Sequence, residues 1–169
     1  MTNRLPQGFT LIETVVYLGL LAIMLSGVIV TAYNVFESSD RSQTKSTVQL
    51  EGDFLVAKID WALSGAQAIN APTNVGSQLS VNRWNGSNVE TVVIEADPVT
   101  GTDVSLARSG NPSLPLNGFS TEVSGLTFTH LAGSGTNPES VRADFTVGAR
   151  TANGQWLALP FSITSYLRK

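Results

Sequence analysis

The chain has 169 residues, a formal net charge of −3 and an isoelectric point near 5.0, and its ten basic residues are scattered, which argues against a nucleic-acid surface. Cysteine is absent and histidine occurs once, at His130, so disulfides, thiolate metal sites and His-based metal clusters are excluded. The length suits one membrane helix and one soluble domain of about 100 residues.

Met1 to Gly8 form a short polar leader holding Arg4 and Pro6. The motif Gly8-Phe9-Thr10-Leu11-Ile12-Glu13 follows, and behind it runs Thr14 to Phe36, 23 residues without Asp, Glu, Lys, Arg or Pro. Such a run crosses a bilayer as a helix, which takes roughly 20 apolar residues at about 1.5 Å rise each. A secretory signal peptide is cut after its apolar region. Here the leader-like segment precedes the apolar region and ends in glycine, so the hydrophobic helix is expected to survive processing. Arg4 weakly favours a cytoplasmic N-terminus, and Arg41 and Lys45 on the far side weaken that signal further.

Glycine, an aromatic, a short polar residue, two aliphatics and an acid, set directly before a membrane-length helix, closely resemble the prepilin signature of type IV pilins and type II secretion pseudopilins. The resemblance implies cleavage between Gly8 and Phe9 on the cytoplasmic face and N-methylation of the new terminus at Phe9. It also implies that Glu13 sets the stagger between subunits entering a filament. The partners implied are other pilin or pseudopilin subunits, a prepilin peptidase/methyltransferase and an inner-membrane assembly platform. The C-terminal domain would face the periplasm or the exterior. Many major pilins carry a helix-kinking proline where this chain has Val30, a departure that points to a minor subunit.

Read from the residues alone, Glu13 has two explanations. It marks the water boundary of an ordinary signal anchor, or it is an acid that needs a partner, because a carboxylate in hydrocarbon costs about 2.5 to 3.5 kcal/mol. In a cleaved chain Phe9 carries a positive amine and Glu13 lies one turn further on, where the helix dipole favours an acid. An ammonium from a neighbouring subunit would then neutralise it.

Gly19 and Gly27 interrupt the apolar run, either as ordinary membrane-helix glycines or as points where a neighbouring helix approaches closely. Beyond Glu37 the composition turns polar without a break. Val48, Leu55, Ile59, Ala62 and Ala66 then recur at helical spacing, the stripe of an amphipathic helix, with Glu51, Asp53, Lys58 and Asp60 mostly off it. The helix is expected to stop near Asn70-Ala71-Pro72. Unbroken from Phe9 to Ala68 it has 60 residues, a rod of about 90 Å.

From Ser77 the period changes to two. Leu79 to Arg83 and Val89 to Glu95 read as strands joined at Asn85-Gly86, a hairpin signal because both residues tolerate positive φ. A second turn at Asp97-Pro98-Val99-Thr100-Gly101 leads into Val104 to Arg108, and Ser109 to Gly118 reads as an ordered loop. Glu122 to Leu131 alternates, Ala132 to Glu139 is a loop, and Val141 to Val147 alternates again. After a turn at Asn153-Gly154, Trp156 to Leu167 forms the last strand, with Pro160 pushing it toward an edge or a bulge. The fold class is α+β: a long N-terminal helix packed on a C-terminal antiparallel β-sheet of five to seven strands. The divisions are a leader at 1–8, a transmembrane or filament-core helix at 9–36, an amphipathic helix at 37–70 and a sheet domain at 71–169. This order is similar to the pilin fold, and the closing segments Val123 to Phe128, Val141 to Val147 and Phe161 to Arg168 loosely resemble minor pseudopilins of the J type.

No catalytic constellation stands out and no cofactor is implied. His130 with Asp144 or Ser134 is the one candidate base, set against the commoner case of a structural histidine at a strand end. Asp97 and Asp103 beside Thr100 and Thr102 fall short of the six to eight oxygens calcium takes, so turn chemistry is the favoured reading and no metal is expected. Trp84 beside the Asn-Gly turn is a candidate stacking site, or a residue packed across its strand pair. Asn85-Gly86-Ser87 matches a glycosylation pattern that the turn already explains. The leading reading is a structural subunit. Its competitors are a signal-anchored extracytoplasmic binding domain that does not polymerise, and an anchored enzyme using His130.

Overall fold

The computed structural model describes residues 10–97, 99–134 and 138–167. One helix, α1, spans Leu11–Ser64, and the chain divides into two compact units, Met1–Arg41 and Ser42–Lys169. The leader Met1 to Gly8 lies outside the described residues.

In the first unit the helix begins after Thr10, whose carbonyl accepts from the backbone N–H groups of Glu13 at 3.1 Å and Thr14 at 3.2 Å. Apart from half-buried Glu13, every residue from Leu11 to Phe36 is exposed.

In the second unit the rest of α1 is amphipathic. Val48, Gly52, Leu55, Ile59, Ala62 and Leu63 are buried, which reproduces the stripe read from the sequence and adds Gly52 and Leu63. The helix stops at Ser64, short of the expected Asn70. Gly65 follows, where a Cβ would overlap the side chain of Arg83, and the chain turns into strand β1, Ala66–Ala71. β1 pairs with register shifts on both sides of the Ala68–Ile69 pair. Its burial therefore does not alternate, and Ala66 fits a helical stripe as well as a strand.

Eight further strands follow among the described residues: β2 Val75–Gly76, β3 Gln78–Trp84, β4 Val89–Ala96, β5 Val104–Arg108, β6 Leu114–Pro115, β7 Thr121–Leu131, β8 Ser140–Arg150 and β9 Trp156–Tyr166. The α+β arrangement of one long N-terminal helix with antiparallel strands is as the sequence implies, but the strands divide between two sheets, ordered β1-β3-β4-β5-β6 and β2-β7-β8-β9. Two-residue strands such as β2 and β6 are too short to leave a period, and β6 lies inside the segment expected to be loop.

Turn chemistry differs in detail from the expectation. The β3–β4 connection is a four-residue loop, since Trp84 pairs with Val89 and Asn85 N–H donates to the Asn88 carbonyl at 2.9 Å. Only Gly86 has positive φ there, at 73°; Asn85 does not. In the β4–β5 turn Pro98 lies outside the described residues, as do 135–137 in the loop before β8 and Arg168 in the closing segment. In β7, Gly125 at φ 66° falls in a register shift between Ser124 and Thr127. This bulge lets Thr121 and Val123 before it and Leu126 and Phe128 after it all face inward despite the change of parity. Pro160 sits in β9, an edge strand, where a missing N–H is tolerated.

The core lies between the buried stripe of α1 and the inward faces of both sheets: Leu79, Val81, Val92 and Ile94 from one, Phe128, Val141 and Val147 from the other. Fully burying one side chain the size of Phe128 is worth about 1.5 to 3 kcal/mol.

Candidate functional site

Gly8 and Phe9, the expected processing site, lie outside the described residues. The site is therefore built from Thr10 onward. Thr10 Oγ1 lies 3.4 Å from the Glu13 N–H, the geometry of an N-cap followed by an acid at the third helical position. Thr14 Oγ1 donates back to the Leu11 carbonyl at 2.8 Å. One turn on from Glu13, the Tyr17 hydroxyl donates to Glu13 Oε1 at 3.2 Å. Glu13 thus sits in the first turn, near the positive end of the helix dipole, with a phenol against its carboxylate.

Behind it the helix offers exposed apolar surface. Leu11 is 83 % exposed, Ile23 73 % and Phe36 74 %, and beyond the helix's own neighbouring backbone nothing lies within 4 Å of where a Cβ on Gly19 or Gly27 would stand. The Ser26 and Thr31 hydroxyls bond inside the helix: Ser26 donates to the Ala22 carbonyl at 2.7 Å and Thr31 to the Gly27 carbonyl at 2.8 Å. Hydrogen bonds closed within one segment are what a lipid environment demands. Leu11–Ser64 is the one described helix long and apolar enough to cross a membrane. A continuous apolar patch of this kind exceeds what a soluble monomer ordinarily exposes.

Elsewhere the candidate chemistry resolves into structure. His130 does not meet Asp144 or Ser134. Its Nε2 lies 2.7 Å from Glu139 Oε1 and its Nδ1 3.1 Å from the Thr73 carbonyl, tying β7 to the segments beside it. Asp144 instead accepts from Arg142 Nη2 at 2.9 Å. The hydrogen bond from Arg142, with a second from Ser162, holds this carboxyl below the usual carboxylate range. Asp97 Oδ1 accepts from the Val99 N–H at 2.8 Å in turn geometry, whereas Asp103 Oδ1 accepts from Asn117 Nδ2, 14 positions away, at 3.2 Å. Among the described residues no three His, Cys, Asp or Glu side chains are grouped to hold a metal. Trp84 stays half exposed opposite Val89.

Three arrangements escaped the sequence reading. Tyr17 is one; its signal was the four-residue spacing from Glu13. The second gathers around Trp61 on α1, where the Arg83 guanidinium stacks 3.9 Å from the ring centroid and Arg108 lies at 5.6 Å. Arg108 Nη2 donates to both Glu90 oxygens at 2.8 Å. The third ties off-stripe acids of α1 to the β6–β7 connection and to β9: Glu51 accepts from the Gly118 N–H at 2.6 Å and Asp60 from the Ser165 hydroxyl at 2.7 Å.

Residues 3–29 match a family model, the prokaryotic N-terminal methylation motif, which is the signature of type IV pilins and pseudopilins. The match covers Gly8, Phe9 and Glu13 and most of the apolar run. No curated protein and no solved structure matches the chain. The signature supports a pilin- or pseudopilin-like protein, a structural subunit rather than an enzyme. With the apolar helix, it also supports anchorage in the inner membrane. The motif ends well before the sheets, so the likeness to J-type subunits rests on the sequence resemblance alone.

Proposed function

We propose that the chain is a minor prepilin-like subunit of a type IV pilus or a type II secretion pseudopilus. Residues 1–8 are the leader, cut between Gly8 and Phe9, and Phe9 is then N-methylated by the peptidase/methyltransferase. Residues 9–36 anchor the subunit in the inner membrane, N-terminus cytoplasmic, and afterwards form filament core. Residues 37–70 carry the chain into the extracytoplasmic domain, and 71–169 supply the sheets that select its neighbours. Glu13 is the register contact, accepting the charged amine of an adjacent subunit.

The observation that carries this reading is the combination of one acid in the first helical turn with a wholly exposed apolar helix behind it. In a plain anchor that carboxylate would only mark the water boundary. In a stack of such helices it has a further use, because lipid already solvates the apolar surface and register must come from packing and from polar contacts. The test is the mass of the chain coexpressed with a prepilin peptidase. Loss of Met1 to Gly8 and gain of one methyl on Phe9 is the expected result; an intact, unmethylated chain overturns the reading.

A further inference from the structure

We infer that Tyr17 is a positioning residue for Glu13: its phenol donates to the carboxylate from the same helix and holds it ready for the cation that sets subunit register. The inference rests on the reading of Glu13 proposed above and adds the group that prepares it.

Helical Cα–Cβ bonds tilt toward the N-terminus, so a side chain at i+4 reaches back over residue i. Tyr17 stands four residues after Glu13, and its hydroxyl lies 3.2 Å from Oε1. The nearest other hydroxyl within the run, on Thr14, donates to the Leu11 carbonyl, as those of Ser26 and Thr31 donate to carbonyls of their own turns. Among the described residues, Tyr17 is the side chain seen donating to Glu13.

The pairing serves both groups. A phenol and a carboxylate each lose water on entering hydrocarbon, and each needs a partner there. A carboxylate has about four acceptor sites on its two oxygens, so one bond from Tyr17 leaves capacity for an ammonium. The bond also fixes the Glu13 side chain before any neighbour arrives. The entropy of ordering it is then lost in the free subunit rather than at docking, which is how preorganisation raises affinity. Tyr17 acts through Glu13, so its contribution should vanish when the carboxylate does.

The test is a set of four full-length chains in the native host: parent, Tyr17→Phe, Glu13→Gln and the double variant. Each is scored for leader removal by mass and for the fraction of processed chain recovered in sheared filaments. Tyr17→Phe keeps the ring and removes only the hydroxyl. Expected results are unchanged leader removal in all four, incorporation of Tyr17→Phe lower by roughly threefold to tenfold, and no further loss when it is added to Glu13→Gln. Full incorporation of Tyr17→Phe, or the same loss on both backgrounds, overturns the inference while leaving the role of Glu13 standing. If Glu13→Gln incorporates like the parent, the register reading fails and the inference goes with it.

A second measurement needs no filament. In lipid nanodiscs, a chain labelled at glutamate carboxyls has a Glu13 NMR resonance, identified by its absence in Glu13→Gln. That resonance is expected to move in Tyr17→Phe, and one that stays in place overturns the inference.

Discussion

The ring of Phe161 on β9 occupies the place where a Cβ on Gly52 of α1 would stand, and it stacks on Phe145, centroids 5.6 Å apart and planes 14° from parallel. Helix, ring and sheet are thus in contact with no side chain on the helix at that point. Gly52 is a poor helix former, at about 1 kcal/mol worse than alanine, so its presence in the middle of α1 is explained by the ring and not by the backbone. Gly52→Ala gains that propensity but forces Phe161 off Phe145, and overpacking of this kind costs about 1 to 3 kcal/mol. The expected net effect is a destabilisation of about 1 kcal/mol, read as a lower denaturant midpoint of the full chain in detergent. Phe161→Leu in the same chain should recover part of it; a Gly52→Ala variant more stable than the parent would show that the ring moves freely.

Glu90 stands among cations. Its side chain is 14 % exposed, and Arg108 reaches it directly, while Arg83 is its cross-strand partner and stacks on Trp61. The Nε atoms of both arginines are buried without a hydrogen-bond partner. Glu90→Gln keeps the shape of the side chain and removes the charge that offsets two guanidinium groups. Because Arg108 remains more than a third exposed, solvent takes up part of the loss, and the expected destabilisation is about 1 to 2 kcal/mol. Added salt should narrow the gap between variant and parent. Equal midpoints at low salt would count against an electrostatic role.

These two sites also show what the sequence made legible. The inward stripe of α1 and the long strands were readable because burial on one face imposes a period, and that period appears in Val48, Leu55 and Ile59 and in Val141, Ala143, Phe145 and Val147. Glu13 was readable because a lone acid at the edge of an uncharged run needs a reason. The end of α1 was not, because Ala62 and Ala66 continue a helical spacing across a real boundary at Gly65. The split into two sheets was not, because which strands pair with which leaves no mark on the alternation within each strand. Contacts such as Glu51 with Gly118, 67 positions apart, carry no local signal at all.

Asp144 lends the second unit a modest pH dependence. Arg142 and Ser162 stabilise its ionised form, so its folded-state pKa lies below the unfolded value. The stability this provides is complete above the unfolded pKa and is lost as the pH falls through the folded one. The side chain is 40 % exposed, so the effect is small. Asp144→Asn is expected to lower the denaturant midpoint slightly at neutral pH, with the gap closing as the pH falls below the usual carboxylate range. A gap that widens in acid would mean the carboxyl is favoured in its protonated form.

Glu13→Ala separates the two explanations of that acid. An anchor loses only a boundary marker, and removing a carboxylate from the end of an apolar run makes insertion easier, by up to about 2.5 to 3.5 kcal/mol at full depth. A filament subunit loses the group that fixes its position against a neighbour's amine. The variant should therefore be membrane-retained and stripped of its leader as efficiently as the parent, yet recovered in filaments at a tenth of the parent level or less, since a charge-assisted hydrogen bond is worth about 1.5 to 3 kcal/mol. Glu13→Asp keeps the charge on a shorter arm that no longer meets Tyr17 at its present spacing, and an intermediate recovery is expected for it. Fractionation of sheared cells with an antibody to the sheet domain measures both. Parent-level recovery of Glu13→Ala in filaments would assign the acid to the membrane boundary, and register would have to come from the apolar faces alone.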